Sequence, residues 1–401
     1  MPTLSSSHKS RILFVSHTAE LNGAERMLLQ TLGELDRRAF RPYLVVPRSG
    51  PLLVEAEEAG LPTAVVPMKW WLTDRRQVWK QPLAWLWNLR AVFKLKRLIL
   101  EKDVALVCSN SAAAVGGAWA ARLARRPHVW IIHEILSGER PLLSFFLGNK
   151  RLVRTIRRWS RRVVVNSLAS ARPFQGSGPV EVVYNGVSLP PRGQGFDGGL
   201  GQRLGLKKGD RVVGVVGKIA PEKGQLELVR AAGLAGRRVK GLKLLIVGAA
   251  ADPRTIASLH REIQGLGLED RVVLAGYVED VFSALGLMDL LVSASRIESF
   301  GRTTVEAMAA GIPVLAVRTG GLPEIVQHGK NGFLVESASP EALAAAIEKF
   351  YALKKAEVAA VVRAGRRTVA ERFRIEPQVR KLERVFKDVL REAGKERPGR
   401  G

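Results

Sequence analysis

Short, nearly continuous runs of Val, Ile and Leu recur along the chain in two sets, each alternating with helical segments. The first set reads RILFVSH, PYLVV, TAVVP, ALVCSN, VWIIHE and RVVVNS; the second reads RVVGVVGK, LKLLIVG, RVVLAGY, DLLVSA, IPVLAV and NGFLV. A strand that is apolar on both faces has no side to give to water. Such strands belong to parallel sheets covered on both faces by their crossover helices. Two sets therefore predict an α/β chain of two Rossmann-like domains, facing across a cleft at the carboxyl ends of both sheets, where ligands of such folds bind. The stretch SLPPRGQGFDGGLGQRLGLKKGD, 188–210, is rich in Gly and Pro and separates the two sets. The expected boundaries are an N-terminal domain over 1–190, a linker over 191–209 and a C-terminal domain over 210–374. A helix over 375–393 and a fraying tail over 394–401 follow.

Composition supports two cores: 46% of the 401 residues are hydrophobic, which excludes a disordered chain. The single cysteine, Cys108, excludes an intramolecular disulfide and a Cys-based zinc site, and fits a reducing compartment. No apolar run approaches the ~18 residues of a membrane span. The N-terminal MPTLSSSHKS passes straight into a strand without the apolar stretch of a signal peptide. A cytoplasmic protein is expected. The net charge of +26 is uneven: residues 1–200 carry 29 basic and 14 acidic side chains, 201–353 carry 19 and 16, and 354–401 carry 15 and 7. Nucleic acid or an anionic membrane surface would suit that footprint.

The segment RIESFGRTTVEAMAAGIPVLAV, 296–317, combines a buried helix and a buried strand with two carboxylates, Glu298 and Glu306. On one continuous helix, eight residues would set them roughly 12 Å and about 80° apart, so they do not form a tight dyad. Glu298 is better placed in the turn after DLLVSAS, with Ser299 and Phe300. The helix then begins at Gly301, Arg302 and Thr303, whose free N–H groups and dipole suit a diphosphate. Glu306, a turn further in, would accept hydrogen bonds from a diol such as a ribose, and Glu298 would hold hydroxyls of whatever hangs from the diphosphate.

This block, together with GGLPEIV and NGFLV, resembles the retaining glycosyltransferases of the GT-B fold, family 4 (glycosyl transferases group 1), over roughly residues 11 to 375. VGKIAPEKGQLELVRAA resembles the family's basic pair, which implies Lys218 and Lys223 at the diphosphate. Many members carry Arg at the first position, and Lys218 replaces that bidentate fork with a point charge. ELNGAERMLLQTL resembles the Gly-Gly-Ala-Glu loop beside the donor phosphates, with Asn22 in place of the first glycine and Gly23 retained. WIIHE resembles the strand end whose histidine, here His133, contacts the donor sugar; Glu134 beside it either faces the acceptor or pairs with an arginine. The resemblance also implies a C-terminal helix that crosses back to the first domain. The implied chemistry is sugar transfer from a nucleotide diphosphate sugar with retention, through an oxocarbenium-like transition state. Lys218, Lys223, Glu298 and His133 would serve the reacting centre, and Gly23, Glu306 and residues 299–303 would bind the donor. Neither half contains an Asp-x-Asp, and two lysines can replace a divalent cation, so no metal or other cofactor is expected.

The acceptor side is marked by MKWWLTDRRQVWKQPLAWLWNLRAVFKLKRLILEK, 68–102, with five of the eight tryptophans, nine Lys or Arg and two acids. From Pro82, the positions Leu86, Leu89, Val92, Phe93, Lys96, Ile99 and Leu100 follow helical spacing. A basic, Trp-bearing amphipathic stretch suits a membrane interface. Trp70, Trp71, Trp79, Trp85, Arg75 and Arg76 are therefore candidates for acceptor or membrane contact, and PLLSFFLGNKRLVRTIRRWSRRVVV adds a second basic stretch. The expected partners are a lipid-linked or glycan acceptor and the anionic inner face of the cell membrane, in cell-envelope polysaccharide or glycolipid assembly. Rival readings are a GT-B-type sugar-nucleotide epimerase and a basic surface-binding protein without transferase activity. No nucleic-acid-binding signature, Gly-x-Gly-x-x-Gly after an opening strand, or Walker A motif is present.

Overall fold

The computed structural model describes residues 9–73, 78–79, 81–136, 143–176, 179–189 and 199–395. The chain divides into two compact units, one made of Met1–Gly186 with Ile375–Gly401 and the other of Val187–Arg374. Residues 191–198 of the expected linker lie outside the described residues, and 199–209 carry the short helix Leu200–Arg203.

Unit 1 is built on a parallel seven-stranded sheet. Its strands are β1 Ser10–Ser16, β2 Phe40–Val46, β3 Thr63–Val65, β4 Leu106–Asn110, β5 His128–Ile132, β6 Arg162–Val165 and β7 Val180–Val182. They lie in the order β3-β2-β1-β4-β5-β6-β7, every neighbouring pair parallel. Alternation along each strand divides the core into two layers. Ile12, Phe14, Leu44, Val46, Val129 and Ile131 pack under helices Gly23–Glu34, Pro51–Glu58 and the C-terminal Ile375–Lys395. Leu13, Val15, Val45, Trp130, Ile132 and Val163 pack under helices Gln81–Glu101, Val115–Leu123 and Asn149–Trp159. The two most basic helices of this unit thus share one face of the sheet. The C-terminal helix is held by Phe386 against Phe14 and Phe40, and its Glu383 accepts from the Asp36 N–H.

Unit 2 carries β8 Arg211–Val216, β9 Leu242–Val247, β10 Val272–Gly276, β11 Leu290–Ser293, β12 Val314–Val317 and β13 Phe333–Val335. The order is β10-β9-β8-β11-β12-β13, again all parallel. Helices Gln225–Ala235, Pro253–Gly265 and Pro340–Ala352 share its large apolar core with Val213, Val215, Leu244, Ile246 and Val292. The winding direction reverses between β1 and β4 in unit 1 and between β8 and β11 in unit 2. Loops leaving the carboxyl ends of those central pairs diverge to opposite faces, which opens a crevice in each sheet.

All twelve strand expectations are met. The strand that escaped, Val180–Val182, is a three-residue edge strand with only one sheet neighbour and one alternating acid, Glu181.

Candidate active site

In unit 2, the loop after β8 and the turn after β11 are drawn together. Gly224 takes φ +74°, and a Cβ there would stand 2.2 Å from the Ala294 carbonyl oxygen, so only glycine lets the two segments approach. The Arg296 N–H donates to the Glu222 carbonyl at 2.9 Å, and its guanidinium pairs with Glu227. This zipper sets Lys223 Nζ 2.7 Å from Glu298 Oε2, which also accepts from Ser295 Oγ at 3.2 Å. Lys218 is exposed and its ammonium has no partner among the described residues; its carbonyl is held by Gln225 Nε2 at 2.9 Å.

The helix Arg302–Ala310 starts just beyond. Gly301 precedes it at φ +101°, and a Cβ there would meet Leu322 Cδ2 at 2.5 Å. No side chain caps this helix, and the N–H groups of Gly301, Arg302 and Thr303 have no hydrogen-bond partner among the described residues. Three uncapped donors at the positive end of a helix make an anion site. The helix is enclosed from Thr304 to Ala310, and Glu306 is 6% exposed, so it does not lie on a solvated face. Its Oε1 accepts from Arg302 Nε at 2.7 Å, an i,i+4 pair.

The cluster in unit 1 is of another kind. His17 follows β1, Asn110 ends β4, and His133 and Glu134 follow β5. His133 Nε2 meets Asn110 Oδ1 at 2.8 Å, and burial lowers its pKa to about 4, against the opposing effect of the Glu134 charge. Glu134 is anchored by the Ser111 hydroxyl and by the N–H groups of Ala112 and His133, each at 3.1 Å. It pairs with no arginine among the described residues. Glu25, in the first turn of helix Gly23–Glu34, is 0% exposed, and neither of its oxygens has a hydrogen bond of good geometry. Burial, and then the Glu134 charge, raise its pKa to about 8, so it is a neutral acid at neutral pH. His17 Nδ1 stands 3.3 Å from Glu25 Oε1, and burial lowers the His17 pKa. The Trp70 indole N–H donates to the His17 carbonyl at 2.6 Å with the rings 5.0 Å apart, which fastens the 68–73 segment over this cluster. Gly23 is exposed, its φ is not positive, and a Cβ there would meet nothing within 4 Å, so neither backbone nor packing demands glycine.

Glu25 and His17 were not singled out in the sequence. The available signal was register: Glu25 stands three and seven residues before Leu28 and Leu32, on the buried stripe of its helix.

Several expectations are corrected. Trp71 is 0% exposed, stacks on Trp130 and Trp159 at 6.0 and 6.4 Å, and donates to the Ala112 carbonyl at 2.7 Å. Trp85 joins the same cluster through Trp71 and Trp119. Trp71 belongs to the unit's core, and Trp85 packs half-buried against it. Trp70 and Trp79 are exposed, and Arg75 and Arg76 lie outside the described residues. Phe300 is also core: it is 1% exposed and packs edge-on against Phe373, so its side chain does not face a ligand. Ser299 is half-buried. The expected stripe on helix Gln81–Glu101 splits in two. Asn88, Ala91, Val92, Leu95 and Ile99 are buried, whereas Leu86, Leu89, Phe93 and Leu100 face outward.

With this geometry in place, similarity to known proteins becomes decisive. Residues 21–189 match the family model Glycosyltransferase Family 4, and residues 200–367 match Glycosyl transferases group 1. The chain belongs to the family 4, group 1 glycosyltransferases. Among solved members of the GT-B fold, the Anabaena protein Alr3699/HepE in complex with UDP superposes with a TM-score of 0.78 at 28% identity, covering 94% of this chain and all of that one. The same protein in complex with UDP-glucose gives 0.79 at 27%, covering 94% and 99%. Among curated relatives, N-acetyl-alpha-D-glucosaminyl L-malate synthase of Bacillus anthracis is 37% identical over 37% of this chain and 38% of its own length. D-inositol 3-phosphate glycosyltransferase of Segniliparus rotundus is 33% identical over 50% and 48%. The chain thus spans less than half the length of these two curated relatives.

Proposed function

We propose that the chain is a retaining glycosyltransferase that moves a sugar from a nucleotide diphosphate sugar to an acceptor hydroxyl. The observation that carries this reading is the pairing, at the switch point of unit 2, of a lysine-bearing loop with an uncapped helix start. Lys218, Lys223 and the N–H groups of Gly301, Arg302 and Thr303 are positive groups suited to a diphosphate. Glu298, held by Lys223 and Ser295, is left to accept from sugar hydroxyls, and Glu306 from the ribose. In the reaction, the anomeric C–O bond to the diphosphate breaks and its electron pair leaves with the phosphate. The acceptor oxygen bonds to the same face, and its proton passes to the departing phosphate. The lysines and helix N–H groups stabilise the charge that builds on that phosphate. No divalent cation is required by this scheme. His133 and Gly23 of unit 1 serve the donor's sugar and phosphates.

UDP is the first nucleotide to try, because HepE was solved with UDP and UDP-glucose. Calorimetry with UDP, GDP and ADP, with and without EDTA, tests the proposal. Binding of one nucleotide, unchanged by EDTA and weakened by Glu306→Ala, is the expected result. Absence of binding by all three sinks it.

The acceptor is proposed to be lipid-linked, or a glycan held at an anionic membrane surface on the cytoplasmic side. Support comes from the shared sheet face of unit 1. Helix Gln81–Glu101 turns Leu86, Trp87, Phe93 and Leu100 outward beside Arg90, Lys94 and Arg97, and helix Asn149–Trp159 exposes Lys150, Arg151, Arg154 and Arg158. Among the described residues no helix is long and apolar enough to cross a membrane, so contact would be interfacial. Flotation with anionic and with zwitterionic vesicles at low salt discriminates. Equal recovery with both would refute the anionic surface.

A further inference from the structure

Arg302 does something that helix stability does not explain. A guanidinium in the first turn adds to the positive end of the helix dipole instead of opposing it. Its order with Glu306, cation before anion at i,i+4, is also the weaker of the two arrangements on an isolated helix. Yet the pair is made at 2.7 Å, with side chains only 15% and 8% exposed. Two loose ends remain inside it. Arg302 Nη1 is enclosed without a partner, and of the two Glu306 oxygens only Oε1 has a hydrogen bond among the described residues. Thr304, 0% exposed, leaves its Oγ1 unpartnered on the same turn. Enclosed polar atoms left unsatisfied are costly, and a group of them at an uncapped helix start marks a place completed by a ligand.

We propose that Arg302 is a positioning residue: by taking Oε1 it fixes the Glu306 carboxylate in one rotamer and leaves Oε2 as the single acceptor for a ribose hydroxyl. This rests on the nucleotide-sugar reading, in which Glu306 receives the diol. It goes beyond that reading by assigning sugar-ring discrimination, ribose over deoxyribose, to the pair and not to Glu306 alone. A carboxylate free to rotate would meet either hydroxyl with either oxygen and would read the ring poorly. One oxygen held by a guanidinium reads it in a defined direction, and the guanidinium keeps the charge of the enclosed carboxylate balanced.

The test measures dissociation constants of UDP, GDP and ADP and of their 2′-deoxy and 3′-deoxy counterparts. The proteins are wild type, Arg302→Leu, Glu306→Gln and the double variant, each first shown to melt cooperatively. Wild type should prefer its ribonucleotide over at least one deoxy form by about tenfold or more, the usual worth of a hydrogen bond to a charged group. In Arg302→Leu that ratio should fall to within about threefold, and the double variant should lose no more discrimination than Glu306→Gln alone. A purely structural Arg302 would lower the melting temperature and leave the ratio intact, which overturns the proposal. Should Arg302→Leu fail to fold, Arg302→Gln, neutral but still able to donate to Oε1, must retain part of the ratio; a complete loss there overturns it as well. Failure of wild type to bind any nucleoside diphosphate would instead bring down the donor reading, and this inference with it.

Discussion

The two units share a strand order around their switch points, yet the side chains placed there obey opposite electrostatic rules. Unit 2 sets out charges in pairs, Lys223 with Glu298 and Arg302 with Glu306, each at 2.7 Å. Unit 1 gathers groups that burial strips of charge: Glu25 with its pKa raised to about 8, His133 lowered to about 4, and His17 lowered as well. A paired site can trade one partner for a charged ligand. A cluster of this kind offers a diphosphate no cation, but it offers donors and acceptors to hydroxyls. Two sheets wound in the same order around their switch points, one of seven strands and one of six, thus carry sites of different electrostatic character.

The largest effect should come from breaking a pair in unit 2. Lys223→Ala removes one cation from the proposed diphosphate site and leaves Glu298 without its ion-pair partner. Turnover of the donor sugar should fall on the order of 10² to 10³-fold, the scale of losing one preorganised donor to a developing anion. Because Lys223 lies near the surface, the melting temperature should barely move. Steady-state kinetics with a sugar donor of the nucleotide that calorimetry selects, or its slow hydrolysis when no acceptor is present, provides the readout. Turnover within about threefold of wild type would make the ion pairs architectural and erase the contrast between units.

Next in size is the titration of Glu25. Its folded pKa, about 8, lies above the unfolded value near 4.5, so the folded state binds the proton more tightly. The resulting stabilisation is fully present below about pH 4.5 and is lost as pH rises through about 8, a change on the order of a few kcal/mol. Glu25→Gln keeps the shape of the neutral acid and cannot ionise. Denaturant midpoints measured from pH 5 to 9 should fall with pH more steeply in wild type than in Glu25→Gln, the two curves separating mainly below pH 8. Parallel curves would show that Glu25 is ionised in the folded protein, and the contrast with unit 2 would then fail at this residue.

The ease of reading these regions from sequence followed the same division. Strands of the parallel sheets were legible because Val, Ile and Leu run without interruption wherever both faces are covered. The Glu298-to-Glu306 block was legible because it is local: turn, helix and strand follow one another within twenty-two residues. The cluster in unit 1 was not, because its members come from the ends of three strands and one helix, and only the order β1-β4-β5 brings His17, Asn110 and His133 together. Nor could the sequence sort the tryptophans. Trp70 and Trp71 are adjacent, yet one is exposed and the other enclosed by Trp130, Trp159 and Phe145. A Trp-rich basic run carries two apolar faces, and only packing decides which is covered.

The smallest expected effects lie on the outer faces and extend the contrast from the sites to the surface. Residues 1–200 carry a surplus of 15 positive charges and residues 201–353 a surplus of 3. On helix Gln81–Glu101, Phe93 is 60% and Leu86 64% exposed, with Arg90 and Lys94 beside them. Neutralising Arg90 and Lys94 to Ser should weaken binding to anionic vesicles by about 1 kcal/mol per charge, roughly fivefold each, with the effect vanishing at high salt. Phe93→Ser should weaken it too, but independently of salt, because that loss is apolar. The same neutralisation at Arg254 and Arg261, exposed on helix Pro253–Gly265 of unit 2, should leave vesicle binding unchanged. Equal losses from both helices would mean that attraction follows total charge alone, without a docking face. A loss confined to helix Gln81–Glu101, with the salt dependence split between Arg90, Lys94 and Phe93, would mean that unit 1 meets the membrane through one face of its sheet.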